Sequence, residues 1–251
     1  MYKRQVLNTG DVFSYNATTG QRTTAKGYQA APAYVGGETV DEVGGGVCQT
    51  SSTIYYACLR ANLEITERYA HRYVPAYIDW GMDATVSWGG PDYKFTNNTD
   101  YPIKIVATYS GGYLTVKILG TNVDGTYVKM TNEVLSKTNW ETVYKDDETL
   151  PAGTEKVTTT PYTGYKVKSY RNVYSADGKL ISSTYEATSD YKVRNKVISR
   201  GPALPEQPET PVTGPAETPA ETPTQTPEET TPSTTTPETS TLDPSQEQTQ
   251  T

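Results

Sequence analysis

The stretch "VGGGVCQTSSTIYYACLRA", residues 43–61, sets three glycines before a cysteine and then runs into a helical pattern. Ile54, Ala57, Cys58 and Ala61 recur at i, i+3, i+4 and i+7, the spacing of one helix face. Ser51 and Ser52 fall in the first turn or at its cap, where a hydroxyl satisfies a free amide. Asn62 is placed to close the other end. The spacing predicts a helix that starts just after or at Cys48 and carries Cys58 inside it.

These two cysteines are the only ones in the chain. Ten residues of helix rise about 15 Å, whereas bridged cysteines need Cα atoms within about 7 Å. A Cys48–Cys58 disulfide would therefore require the helix to be absent. Two cysteines and one histidine also lack the paired spacing of a zinc site, so no metal and no cofactor is expected. Cys58 reads as a small buried residue of the packing face, which leaves Cys48 as a free thiol.

A thiol at a helix N-terminus feels the positive end of the helix dipole, which favours the thiolate. Gly44, Gly45 and Gly46 remove side-chain bulk and let a substrate backbone come close. The amides from Gly46 through Val47 to Gln49 are candidates to receive a developing oxyanion. Gln49, Ser51 and Ser52 are candidates for hydrogen bonds to substrate, with capping as the other role for the serines. A cysteine nucleophile needs a base, and His71, in "ERYAHRYVPAY", is the only histidine. Sequence separation does not show contact, so a structural role for Cys48 and His71 stays open beside the catalytic one.

Outside the helix the chain has strand character. Nearly all of its 21 tyrosines precede residue 200, with abundant Thr and Val and only two Phe, a composition suited to half-exposed pleated surfaces. "YPIKIVATYSGGYLTVKILG" turns at Ser110-Gly111-Gly112, and Asp177-Gly178 reads as a second tight turn. The fold class expected is α+β: a mixed, β-rich domain over 6–120 with one helix bearing the cysteine at its N-terminus. A small all-β module follows over 130–201. From residue 202 the chain is rich in Pro, Thr, Glu and Gln and reads as a disordered spacer. Residues 201–251 hold nine acidic residues and no Lys or Arg, so residues 1–200 carry 22 basic against 20 acidic groups. A nearly neutral folded part gives no nucleic-acid footprint. "MYKRQ", residues 1–5, resembles the translated end of a sequencing adapter, so the native protein is expected to begin upstream. That leaves room for a membrane anchor there.

"FSYNATTGQRTTAKGYQAAP", "GGGVCQTSSTIYYACLRANLEITERYAH" and "DATVSWGGPDYKFTNNTDYPI" together resemble the VanW domain family, from about Gly10 to about Gly120. The resemblance implies L,D-transpeptidase activity on peptidoglycan stem peptides, with Cys48 as nucleophile and His71 as its base. It makes Asp83 and Asp92 candidates to orient His71, with a backbone carbonyl as the other option. "LPAGTEKV", "PYTGYKVKSYRNVYSADGKLISSTYEATSDY" and "VISRG" resemble the five-glycine wall-associated module. They supply Gly153, Gly164, Gly178 and Gly201, and lack the glycine expected near Thr160-Pro161. That module implies contact with amino-sugar polymers. The implied setting is extracellular, at the cell wall or cell surface. The competing reading is a non-catalytic peptidoglycan-binding protein or an accessory factor for glycopeptide resistance.

Overall fold

The α2 helix (Val47–Arg60) forms where the periodicity placed it, and its two ends show why it stops there. Gly46 is its N-cap at φ 84°, a left-handed geometry that costs a residue with a Cβ about 1–2 kcal/mol. At the other end Asn62 also turns left-handed, at φ 56°. Its amide donates to Leu59 O, and the Leu63 amide donates to Cys58 O. This pair of bonds is the Schellman closure. The buried face is rotated from the one expected: Ser51, Ser52, Ile54, Tyr55, Cys58 and Leu59 are buried, whereas Ala57 and Ala61 are only partly so. The two serines turn inward with the apolar side chains and do not cap. Ser51 Oγ donates to Ala84 O at 2.6 Å, and Ser52 Oγ receives the Ala84 amide at 3.0 Å. They lock the helix to the segment 83–86.

The computed structural model describes residues 3–35 and 38–204. The tail read as a spacer lies outside them from residue 205, although its first residues are engaged: Pro202 O receives the Gly153 amide. Strands dominate the described residues, and besides α2 the other α-helix is the short α1 (Tyr15–Thr19). One sheet orders β1 (Lys3–Leu7), β7 (Ile103–Ser110) and β8 (Tyr113–Leu119), all antiparallel. Residues 3–5, read as adapter-like, pair here in register with residues 105–107. The expected hairpin joins β7 to β8, with Gly111 and Gly112 at φ 58° and 85°, both positive as its two-residue turn requires.

A second sheet orders β2 (Val12–Ser14), β6 (Lys94–Thr96) and β5 (Glu64–Glu67). A hairpin pairs β3 (Ala30–Val35) with β4 (Glu38–Val43) and leads into the glycines before α2. The second half builds one sheet from β13 (Leu180–Tyr191), β12 (Gly164–Tyr174) and β9 (Tyr127–Thr138), and another from β10 (Thr142–Asp146), β14 (Lys196–Arg200) and β11 (Glu155–Thr159). The turn at Asp177-Gly178 joins β12 to β13 as expected. The main core gathers Phe13, Tyr55, Cys58, Leu59, Tyr93 and Phe95 around α2. Helix α2 also meets β8 and β9, so it touches both halves, and all the described residues belong to one compact unit.

Gly45 and Gly46 carry different constraints. A Cβ on Gly45 would sit 2.2 Å from Ala31 O, a backbone atom of β3, whereas one on Gly46 meets nothing within 4 Å. Thermal unfolding is expected to show Gly46→Ala losing about 1 kcal/mol, the left-handed cost alone. Gly45→Ala should lose more, roughly 2–3 kcal/mol, because backbone must shift to admit the methyl. Equal losses would contradict this assignment.

Candidate active site

Cys48 is the second residue of α2, with its side chain partly exposed. The segment pinned by Ser51 and Ser52 runs beside it. Cys48 Sγ receives the Val86 amide at 3.4 Å and lies 3.4 Å from Val86 O and 3.5 Å from Thr85 Oγ1. The Thr85 amide in turn donates to Tyr69 O, tying this segment to the loop that carries His71.

His71 is oriented by Asp83. Its Nδ1 lies 2.6 Å from Asp83 Oδ2, and its own backbone amide donates to the same oxygen at 2.7 Å. With the Nδ1 proton directed at the carboxylate, Nε2 is the nitrogen free to exchange a proton, and Tyr77 Oη lies 3.2 Å from it. Asp83 is fully buried, and a charge there must be compensated by hydrogen bonds and opposite charge. Arg68 supplies much of this: its NH2 donates to Asp83 Oδ1 at 2.8 Å and its Nε to Asp83 O at 2.6 Å. Tyr191 Oη donates the remaining bond to Oδ1.

The other aspartate candidate is elsewhere. Asp92 accepts from Ser14 Oγ at 2.6 Å, and from the amides of Asn16 and Tyr93 at 2.8 Å. It fastens α1 to the loop before β6. The amides of Val47 and Gln49, considered for an oxyanion, donate to Gly44 O and Gly46 O within the first turn. Gln49 is exposed, and Ser51 is buried against Ala84. Sequence reasoning missed Arg68, Tyr77, Thr85, Val86 and Tyr191. Thr85 and Val86 lie in the "DATVSW" string, Arg68 in "ITERYAH" and Tyr191 at the end of "STYEATSDY", all within strings that carried the resemblances, but nothing in those strings singled them out. No group of three or more His, Cys, Asp or Glu among the described residues is arranged to hold a metal.

The electrostatics follow from this geometry. Burial pushes the Cys48 thiol up, but hydrogen bonding with His71, the Val86 backbone, the Thr85 hydroxyl and the His71 charge bring it below its ordinary value. Burial pulls His71 down, and hydrogen bonds and charge from Asp83 and Cys48 raise it to about 9. Burial also opposes ionisation of Asp83, yet His71, Arg68 and Tyr191 hold its pKa at about 2. The Cys48 thiol is thus shifted down and the His71 imidazole up, with the Asp83 carboxylate on the Nδ1 side of the ring. Cys58, by contrast, is buried without exposure and pushed up to about 12. Both cysteines are free.

Two comparisons place these residues in known domains. Residues 2–119 match the family of VanW like protein, and residues 112–203 match the G5 domain, the five-glycine module. The chain therefore carries a VanW-like domain followed by a G5 domain. It is 45% identical over 118 residues to Uncharacterized protein YoaR of Bacillus subtilis (strain 168), covering 47% of this chain and 39% of YoaR. The chain thus spans about two fifths of the length of that relative. An IgA1 protease G5 domain structure is 18% identical with a TM-score of 0.23, over 32% of this chain and 94% of its own. The HP0197-G5 crystal structure is 21% identical with a TM-score of 0.18, over 30% of this chain and 95% of its own.

Four outcomes are expected from this site. Brief iodoacetamide treatment of native protein near pH 7 should alkylate Cys48 and spare Cys58, as read by peptide mass. Asp83→Asn should return the His71 titration from about 9 toward the ordinary 6.5, which NMR can follow on the sole imidazole. It should also cost about 3–5 kcal/mol by leaving the buried Arg68 guanidinium unpaired. Because the folded pKa of Asp83 is depressed from 3.8 to about 2, its stabilisation is full above 3.8 and is lost as pH falls toward 2. Wild-type stability should accordingly drop through that window by about 2 kcal/mol more than that of Asp83→Asn.

Proposed function

We propose that the protein is a cell-wall peptidoglycan L,D-transpeptidase that forms cross-links through a Cys48 acyl-enzyme. The observation that carries this reading is the Asp83–His71 pair at 2.6 Å, in a loop tied through the Thr85 amide to the segment that hydrogen-bonds the Cys48 thiol at the start of α2. The VanW resemblance adds the substrate class, stem peptides of the wall. In the forward step the Cys48 thiolate attacks the carbonyl of the third stem residue, forming the S–C bond. The scissile C–N bond breaks, and His71 gives its Nε2 proton to the departing amine of the terminal D-residue. In the return step the side-chain amine of an acceptor stem attacks the thioester. Its proton passes to His71, and the Cys48 thiolate leaves. Splitting one exchange into two acyl transfers lowers each barrier.

Asp83 keeps the Nδ1 proton in place and stabilises the imidazolium through both halves of the cycle. Val86 N–H and Thr85 Oγ1 stabilise the resting thiolate, and Tyr77 Oη borders the path of the exchanging proton. The G5 domain is read as the part that holds the protein against amino-sugar polymers of the wall. Exposed Trp140 and Tyr185 favour this, since aromatic faces attract cationic groups such as amino-sugar substituents. The setting is extracellular.

Incubation with tetrapeptide muropeptides should yield dimers by mass, with an acyl adduct trapped on Cys48. Cys48→Ala should abolish both. An identical product profile from Cys48→Ala would leave wall binding without catalysis as the function. The rate should fall above about pH 9 as His71 loses its proton, and on the acid side as the thiolate is protonated, below the ordinary thiol pKa.

A further inference from the structure

The loop that carries His71 and Asp83 is clasped by the second half of the chain. Tyr191, the last residue of β13, is buried and acts twice: its hydroxyl donates to Asp83 Oδ1 and receives the Gly81 amide at 2.7 Å. Ser189 Oγ receives Arg68 NH1 at 2.9 Å, so the guanidinium that neutralises Asp83 is held from the same strand. The Lys192 amide donates to Arg72 O at 2.7 Å, one residue beyond His71. Ring contacts flank these bonds, Tyr73 with Tyr162 at 5.2 Å and Trp80 with Tyr165 at 4.4 Å. A Cβ on Gly81 would meet Ser169 at 3.2 Å, which shows how closely the loop lies on β12.

Gly81 thus donates to, and Asp83 accepts from, a residue that the VanW match, 2–119, does not include. A carboxylate in a loop of its own could rotate about χ1 and χ2. Here Oδ1 is fixed by Arg68 and Tyr191, which leaves Oδ2 directed at the His71 ring. A general base must be held in hydrogen-bond register with its partner, and one of the two groups that fix Oδ1 comes from the G5 domain.

We propose that the G5 domain completes the catalytic centre, with Tyr191 as a positioning residue that holds Asp83, and through it His71, against Cys48. The inference rests on the transpeptidase reading for its rate consequences but not for its structural ones. Tyr191 touches no reacting atom, and it acts by removing the rotational freedom of Asp83.

The test uses the full chain carrying Tyr191→Phe, which keeps the ring and deletes the hydroxyl. With a single histidine in the chain, NMR titration reports His71 alone. The expected result is a fall in the His71 midpoint by about one unit, with the alkaline limb of the rate following it and kcat dropping about tenfold at unchanged KM. Ser189→Ala, which loses the bond to Arg68 and the hydrogen bond with the Tyr191 hydroxyl but leaves that hydroxyl on Asp83, should shift the midpoint in the same direction by less, and it serves if Tyr191→Phe does not fold. Tyr165→Leu loosens the Trp80 contact without touching Asp83 and should leave the midpoint in place. A His71 midpoint unchanged or raised in Tyr191→Phe overturns the proposal, and so does an equal fall in Tyr165→Leu, which would assign the effect to domain packing in general. If wild-type protein forms no cross-links, the transpeptidase reading fails while the titration still decides the role of Tyr191.

Discussion

A carboxylate with no access to water is tolerable only when every lone pair that faces it outward has found a donor. Asp83 meets that condition with bonds from Arg68, from the backbone and ring of His71, and from Tyr191. The donors come from two stretches of chain, residues 68–71 and the end of β13, so satisfying one side chain brings the stretches together. The loop through His71, the segment beside Cys48 and the strand β13 are gathered at a point with no regular secondary structure of its own. The remainder of the architecture can be described as what is needed to deliver those donors to one place.

The helix α2 contributes in two ways. Its N-terminus presents Cys48 to the positive end of the helix dipole, and its inward serines grip Ala84, one residue from Asp83. Cys48 and the carboxylate that orients His71 are thus separated by only a few covalent and hydrogen-bonded links, though far apart in sequence. The thiol is poised by contest. Burial works against its ionisation, and the neighbouring imidazole, amide and hydroxyl outweigh it. Cys58, one helix face deeper with no comparable set, is driven the other way. Two cysteines of one helix therefore differ in chemistry because of what surrounds them, not because of the helix itself.

Local patterns in the sequence reached those features whose causes are local. The period of α2, its closure at Asn62 and the Gly111-Gly112 turn each depend on residues within a few positions of one another, and all were legible. The glycines before Cys48 were legible as well, although their particular reasons were not: the crowding at Gly45 comes from Ala31, on another strand. For Ser51 and Ser52 the sequence offered capping or substrate contact, because a hydroxyl near a helix start usually serves the helix; the partner they share is Ala84, 33 and 32 positions away. Asp83 and Asp92 were indistinguishable in the sequence, both being aspartates in strings of the same resemblance. Only the partners separate them, His71 for one and Ser14 with Asn16 for the other. Tyr191 closes a string quoted for the five-glycine resemblance, yet nothing there tied it to Asp83, which it reaches across 108 positions from among many other tyrosines.

The clasp on Gly81 and Asp83 also bears on how such chains are shuffled in evolution. Recombination that joins a VanW-like segment to a foreign partner at residue 120 would keep every residue of the first match, yet deliver a loop whose carboxylate has lost a donor and whose Gly81 amide has lost its acceptor. Such a chimera would carry its family signature intact, and its inheritance of the complete site would depend on the donor strand that arrived with the new neighbour. The boundary drawn by sequence families and the boundary of the heritable working unit need not coincide, and in this chain Tyr191 lies in the gap between them.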